Sequence, residues 1–400
     1  MMEKSQRENK IIFICWLAYA VAYVGRLNFA ASIVAIVSDM GVSKSSAGLV
    51  SSCFFFAYGI GQLVNGVLSK RYNGRAMVFI SLFISGCLNF IMPICNNISI
   101  MKYIWLVNGA VQSILWCTLI QTISQKVSDE KMSKAIIVMS TPTAIGTIAA
   151  YGLSALFVQI SNWKITFFVA GVLLIITAVI WFVLYGNDKL SNFANSNENL
   201  ENNKIPKSII FCIATMALAC VANGFVKDGV TTWGASVMYE KFGISQSFSI
   251  LLTLLMPMAG VVGATFVVKI HKKIESHSKM NLIFYAVTLF MCSGLLIALK
   301  MHSLALLLIS FTAVACLMSM VNNVVTSVFP LDRRKVLGSG FISGLLNAFC
   351  YVGSTTASYS LGAVAQNDGW KAVFILLIAV SAFGIIISIF GTKAERKFKL

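Results

Sequence analysis

The sequence predicts an all-α membrane protein, and three observations carry that prediction. Hydrophobic residues make up 58% of the 400 residues, above the roughly 45–50% of soluble domains. Charged residues make up only 11%, where about 25% is usual. The basic residues lie almost wholly outside the apolar runs and divide unevenly between the two sides. So few charges cannot cover a 400-residue soluble core, and the hydrophobicity excludes disorder. Ten cysteines are too sparse for a disulfide scaffold.

Twelve apolar runs can be marked, near 11–37, 46–68, 76–95, 101–125, 135–160, 165–185, 208–238, 246–268, 280–299, 303–329, 336–364 and 371–391. Each is long enough to cross a bilayer as a helix. The first is too long for the apolar core of a signal peptide, and no small-residue cleavage site follows it. The two termini and the connections after even-numbered runs hold twenty-three Lys and Arg, among them Lys70, Arg71, Arg75, Lys272 and Arg333. The opposite side holds six: Lys44, Lys102, Lys164, Lys241, Lys300 and Lys371. The positive-inside rule therefore places both termini in the cytoplasm, which agrees with an even number of crossings. The net charge of +17 is then a topological signal, and no nucleic-acid partner is implied.

The longest polar stretch, 186–207, follows the sixth run and is rich in Asn, Ser, Lys and Glu. It predicts a cytoplasmic linker between an N-terminal six-helix bundle (1–185) and a C-terminal six-helix bundle (208–400) with a short cytoplasmic tail. An offset supports duplicated, pseudo-symmetric halves. Arg26 and Lys227 stand 201 residues apart, and the basic strings 66–71 and 268–273 are offset by 202.

Arg26 and Lys227 are the two basic residues deep inside apolar runs, Lys102 standing at the very edge of the fourth. At about 1.5 Å per residue, Arg26 lies about 22 Å into its helix. A charge at that depth costs at least about 2.5–3.5 kcal/mol against lipid, so it must face protein, water or an anion. Tyr19, Tyr23 and Arg26 share one helix face. Asn223 lies one turn before Lys227. Asp228 follows Lys227 but points about 100° away around the helix. It is the one acidic residue within a run, and so a possible proton or charge partner. Two readings stay open for Lys227: it faces a ligand, or it neutralises Asp228. One cation from each half suits an anionic ligand, with the Arg26 fork fitting phosphate or carboxylate.

Candidate neighbours in the first half are Tyr58, Gln62, Gln112 and Trp116; in the second they are Asn322, Asn323, Asn347 and Tyr351. An interhelical hydrogen bond is as good a reading for each single Asn or Gln, as packing is for Trp116 and Trp233. Gly59, Gly146, Gly260 and Gly263 are expected at close helix contacts. All three histidines, His271, His277 and His302, are expected in loops. No catalytic pair, metal set, cofactor motif or Walker loop is present.

Several strings recur in a familiar order: Tyr19-x3-Tyr23-x2-Arg26-x-Asn28-Phe29-Ala30; Ala57-Tyr58-Gly59; Gly66-x3-Lys70-Arg71-x-Asn73-x-Arg75; Gly109-x2-Gln112-x3-Trp116; Lys227-x-Gly229-x3-Trp233; and Gly340-Phe341-x2-Gly344 with Tyr351-x-Gly353. Over nearly the whole chain this resembles the organophosphate:phosphate antiporters of the major facilitator superfamily, of the glycerol-3-phosphate and hexose-phosphate type. The resemblance implies a major-facilitator fold, alternating access and a phosphorylated metabolite exchanged for inorganic phosphate across the cell membrane. It marks Gly66, Lys70, Arg71, Arg75 and Lys272 as gate or loop-motif residues. The chain departs from the family at Lys70 and Lys272, where acidic gate residues are usual. It departs again at Leu27, Gln62 and Thr143, which stand where further binding-site cations and a histidine fall. Two alternatives follow: a carboxylate or hexuronate symporter of the same fold, and a non-transporting sugar-phosphate sensor. The expected partners are a small anion and the lipid bilayer, for a monomeric protein. A sensor kinase joins them only under the sensing reading.

Overall fold

The computed structural model describes residues 2–68, 73–160, 162–186, 207–271, 273–274, 276–332 and 339–398. The expected linker (apart from its end residues 186 and 207) and the gate residues Lys70, Arg71 and Lys272 lie outside the described residues. The helices of the first half are α1 (Met2–Met40), α2 (Lys44–Leu68), α3 (Gly74–Ile91), α4 (Ile98–Lys126), α5 (Asp129–Met139), α6 (Pro142–Gln159) and α7 (Trp163–Tyr185). Those of the second half are α8 (Lys207–Phe242), α9 (Gln246–Leu252), α10 (Leu255–His271), α11 (His277–Lys300), α12 (Leu304–Asn323), α13 (Ser339–Asn367) and α14 (Gly369–Phe398).

Eleven helical stretches among the described residues are long and apolar enough to cross a membrane. The expected twelfth is α13, whose 29 residues span about 43 Å. Its Ser, Thr, Gly and Asn content makes it more polar than the others.

Three apolar runs contain breaks that hydrophobicity does not reveal. The fifth run divides at Ser140–Thr141, where Pro142 opens α6 without an N–H to continue α5. The eighth divides at Thr253–Leu254, ahead of Pro257 in the first turn of α10. The tenth passes from α12 into a π-helical turn, Val324–Val328, and a last turn, Phe329–Asp332. The histidines stand at helix ends rather than in open loops. His271 closes α10 and His277 opens α11, their rings 5.3 Å apart, while His302 takes a left-handed φ of 52° after α11.

Short polar side chains start the helices by accepting from orphan backbone N–H groups. Asn73, Asn97 and Asn162 cap α3, α4 and α7; Ser245, Ser276 and Ser303 cap α9, α11 and α12.

Internal repetition becomes visible in the turns. Gly41-Val42-Ser43 after α1 matches Gly243-Ile244-Ser245 after α8, and both glycines are left-handed, at φ 61° and 64°. The carboxylate of Asp39, near the end of α1, accepts from the Trp163 indole at 2.9 Å. Glu240, near the end of α8, accepts from the Trp370 indole at the same distance. The two acids are 201 residues apart, the spacing of Arg26 and Lys227.

In the first half α1 packs on α4, α6 and α7, α2 on α4, and α3 on α4 and α7; in the second, α8 packs on α12, α13 and α14, and α11 on α12 and α14. Across the halves α2 lies along α13, α1 along α8 and α6 along α9. The larger buried core runs through both halves and includes Phe29, Phe54, Trp105, Trp233 and Phe374. A smaller core is confined to the first, from Ile11 and Tyr19 to Leu119 and Trp181. Gly59, Gly146, Gly260 and Gly263 do sit at close contacts, where a Cβ would collide with a facing helix.

Among the described residues, the α2–α13 seam is closest at one end. The Lys44 backbone meets Gly362, Gly48 meets the Ser358 carbonyl and Gly59 meets Tyr351. Beyond that point a Cβ at Gly66 or at Gly344 would have nothing within 4 Å among the described residues. The closed end carries polar ties. Lys44 Nζ lies 3.0 Å from a Glu240 carboxylate oxygen. The Lys44 amide donates to Gln366 Oε1 at 3.2 Å, and Ser52 Oγ donates to the Thr355 carbonyl at 2.6 Å.

Candidate substrate site

Arg26 lies in the middle of α1 with only 5% of its surface exposed. Its guanidinium carbon is 4.3 Å from the ring centres of both Tyr23 and Tyr58, and 5.4 Å from that of Phe54. The flat cation is thus held against π faces, which replace part of its lost hydration. Its Nη2 donates to the Tyr351 hydroxyl on α13 at 3.3 Å. Its Nε is buried without a partner among the described residues. A buried charged donor with no acceptor is costly unless an anionic group can supply one.

The surrounding rings interlock. Tyr19 contacts Tyr23 and Trp116 at 5.2 and 4.7 Å, and Tyr58 contacts Tyr351 at 4.8 Å across the seam. The Tyr58 oxygen accepts from Gln62 Nε2 at 3.0 Å. Asn347, half-buried, lies one turn before Tyr351 on α13.

On α8, Lys227 Nζ stands 3.7 Å from Asp228 Oδ1, with side chains 33% and 21% exposed. The sequence directions of these neighbours diverge, but the long lysine stem bends back to reach the carboxylate. The other oxygen of Asp228 accepts from Ser354 Oγ on α13. Arg26 and Tyr23 of α1 lie within electrostatic reach of Lys227, so the cations of the two halves share one region. Asn223 Nδ2 donates to Asn322 Oδ1 at 3.3 Å, while its own Oδ1 is buried without a partner.

The family model for the Major Facilitator Superfamily matches residues 15–354. The chain belongs to the major facilitator superfamily. Its relatives are named as transporters, with membrane sensor proteins among them, and not as enzymes. It is 22% identical to the "Probable hexose phosphate transport protein" of Chlamydia pneumoniae, over 94% of this chain and 90% of that one. It is 25% identical to the glycerol-3-phosphate transporter of Bacillus subtilis, over 93% and 89%. Among solved structures, a bacterial homologue of the human lysosomal transporter Spinster superposes with a TM-score of 0.77, covering 98% of both chains at 12% identity.

Within this major facilitator chain, Arg26, Tyr19, Tyr23, Tyr58, Gln62, Trp116 and Tyr351 form one cluster, and Lys227, Asp228 and Asn223 lie beside it. Two of the expected neighbours are not brought there. Gln112 is buried between α3 and α4, donating to Ser85 Oγ at 2.8 Å. Asn323 donates to the Ala264 carbonyl of α10 at 2.9 Å. In each case the amide nitrogen finds an acceptor on the adjacent helix, the usual fate of polar groups between membrane helices, while Gln112 Oε1 is buried without a partner among the described residues. Trp233 packs at the closed end, donating to the Ser358 carbonyl. Of the gate motif, Arg75 stacks over Phe182 at 4.0 Å and donates to its carbonyl, within the first half.

Phe54 and Ser354 escaped the sequence reading. Phe54 could have been found from its position one turn before Tyr58; nothing local singles out Ser354. An apolar groove of about 430 Å³ between α2 and α4, lined by Phe56, Ile60, Val64 and Leu106, lies apart from this chemistry.

Proposed function

We propose that the protein is a secondary transporter that moves a phosphorylated small metabolite across the cytoplasmic membrane by alternating access, in exchange for inorganic phosphate. The observation that carries this reading is Arg26: a buried, ring-clamped guanidinium with an unpartnered Nε, bridged to the opposite half through Tyr351. Its fork offers the paired donors that a phosphate oxygen accepts. The names of the relatives support a phosphate ester as cargo.

The halves are read as two six-helix bundles about this site. The seam closes on the side holding Lys44, Lys241 and Lys371, the side poor in basic residues. By the positive-inside rule that side is external, so the site opens to the cytoplasm, where both termini lie.

Counterflow in proteoliposomes tests the proposal. Vesicles loaded with unlabelled inorganic phosphate should accumulate labelled hexose 6-phosphate, and Arg26→Ala should abolish the accumulation. Saturable binding without counterflow would instead favour the sensing reading. Uptake of a hexuronate alone would favour the carboxylate reading.

A further inference from the structure

Asp228 gives the site a charge balance that its two cations alone do not reveal. Arg26, Lys227 and Asp228 are the formally charged side chains that bear on the cluster among the described residues, and they sum to one net positive charge. The carboxylate is held from two helices, by Lys227 of α8 and Ser354 of α13. The other titratable or charged groups facing this pair are Tyr151 of α6, Cys350 of α13, and Tyr23 and Arg26 of α1.

A ligand with one negative charge brings such a site to neutrality. A doubly charged phosphate leaves an uncompensated charge away from bulk water, unless a proton enters with it. The same ligand also competes with Asp228 for the Lys227 ammonium. Resting on the reading of this site as an anion carrier's, we infer that Asp228 determines the charge class of the cargo. The site takes anions that bring one net negative charge and discriminates against the bare phosphate dianion. A phosphate monoester enters as its singly protonated form, whose proton comes from solvent.

A pair of isosteric probes tests this on the purified full-length protein: a hexose 6-phosphate and the matching 6-sulfate. The sulfate ester is singly charged throughout. The phosphate ester loses its second proton near pH 6, so its monoanion falls to about 1% of the total at pH 8. For the unaltered protein, phosphate-ester binding should weaken about tenfold or more between pH 5.5 and pH 8. Sulfate-ester binding should stay nearly constant, and the sulfate should bind more tightly at pH 8.

In Asp228→Asn the site carries two positive charges, and the phosphate ester should become the tighter ligand at pH 8. Ser354→Ala keeps the carboxylate's charge and should leave the sulfate ester the tighter ligand at pH 8. Should Asp228→Asn fail to fold, the order of the two esters on the unaltered protein at pH 8 decides the matter. A phosphate ester bound more tightly than the sulfate at pH 8 by the unaltered protein overturns the inference while leaving the anion carrier standing. Binding of neither ester at either pH overturns the carrier reading, and this inference with it.

Discussion

The guanidinium of Arg26 reaches from α1 to the hydroxyl of Tyr351 on α13, 3.3 Å away. This one bond links the two halves at the site itself. It also sets a neutral phenol oxygen where an anionic oxygen would be the better acceptor. On the proposed function, ligand binding and the junction between the halves are therefore parts of the same contact.

Arg26→Lys keeps the charge and loses the planar fork. Binding of a phosphate ester should weaken by about 1.5–3 kcal/mol, the range of a hydrogen bond to a charged group. Arg26→Ala should cost about 2–5 kcal/mol. Isothermal titration checks both, and equal affinity of the Lys variant and the unaltered protein would deny the fork a role.

Tyr351→Phe removes the acceptor and leaves Arg26 with a further unmet donor. The protein without ligand should lose about 1–3 kcal/mol of stability. A bound phosphate ester restores an acceptor, so the rise in melting temperature on adding it should exceed that of the unaltered protein. Equal rises in differential scanning fluorimetry would contradict this.

The Lys44–Glu240 pair ties the closed end at 3.0 Å. Lys44→Glu sets two acids against each other and should weaken closure by about 1 kcal/mol, roughly a fivefold shift in population. Thiol reagents added from outside should then modify Ser52→Cys faster, in a background stripped of reactive native cysteines. Exchanging both residues, Lys44→Glu with Glu240→Lys, should return the rate towards its original value. A double variant as reactive as the single one would show that the pair does not hold the seam.

Topology is tested at the turn after α11, where Met301 is 68% exposed. Met301→Cys should react with an impermeant maleimide added outside intact cells. Labelling that requires permeabilised cells would reverse the orientation drawn from the basic residues.

The helices were legible because lipid imposes a length and an apolarity that few other settings demand, and Arg26 was legible because a charge at its depth needs a reason. The reading stopped where a polar side chain could serve either of two neighbours. Periodicity places Gln112 and Asn323 on a helix face, but it does not say whether that face meets ligand or Ser85 and Ala264. It gave the diverging directions of Lys227 and Asp228 but not the reach of a four-carbon stem. Hydrophobicity runs through the breaks at Thr141 and Thr253. The Lys44–Glu240 tie joins residues almost two hundred positions apart, beyond any local pattern.

The backbone that carries Arg26 is clamped on both sides of that residue. The Asn89 amide donates to the Gly25 carbonyl at 3.0 Å, and the Asn28 amide donates to Asn89 Oδ1 at 2.7 Å. Asn108 of α4 also donates to the Gly25 carbonyl, at 3.2 Å. These bonds rivet α1 to α3 and α4 within a turn of the guanidinium. Arg26 therefore cannot slide or swivel on its own helix; it travels only as cargo of the whole first half. In the rocking that the proposed alternating access requires, the opposing wall with Tyr351 and Lys227 would swing past a cation fixed within its own half, like a door past its frame.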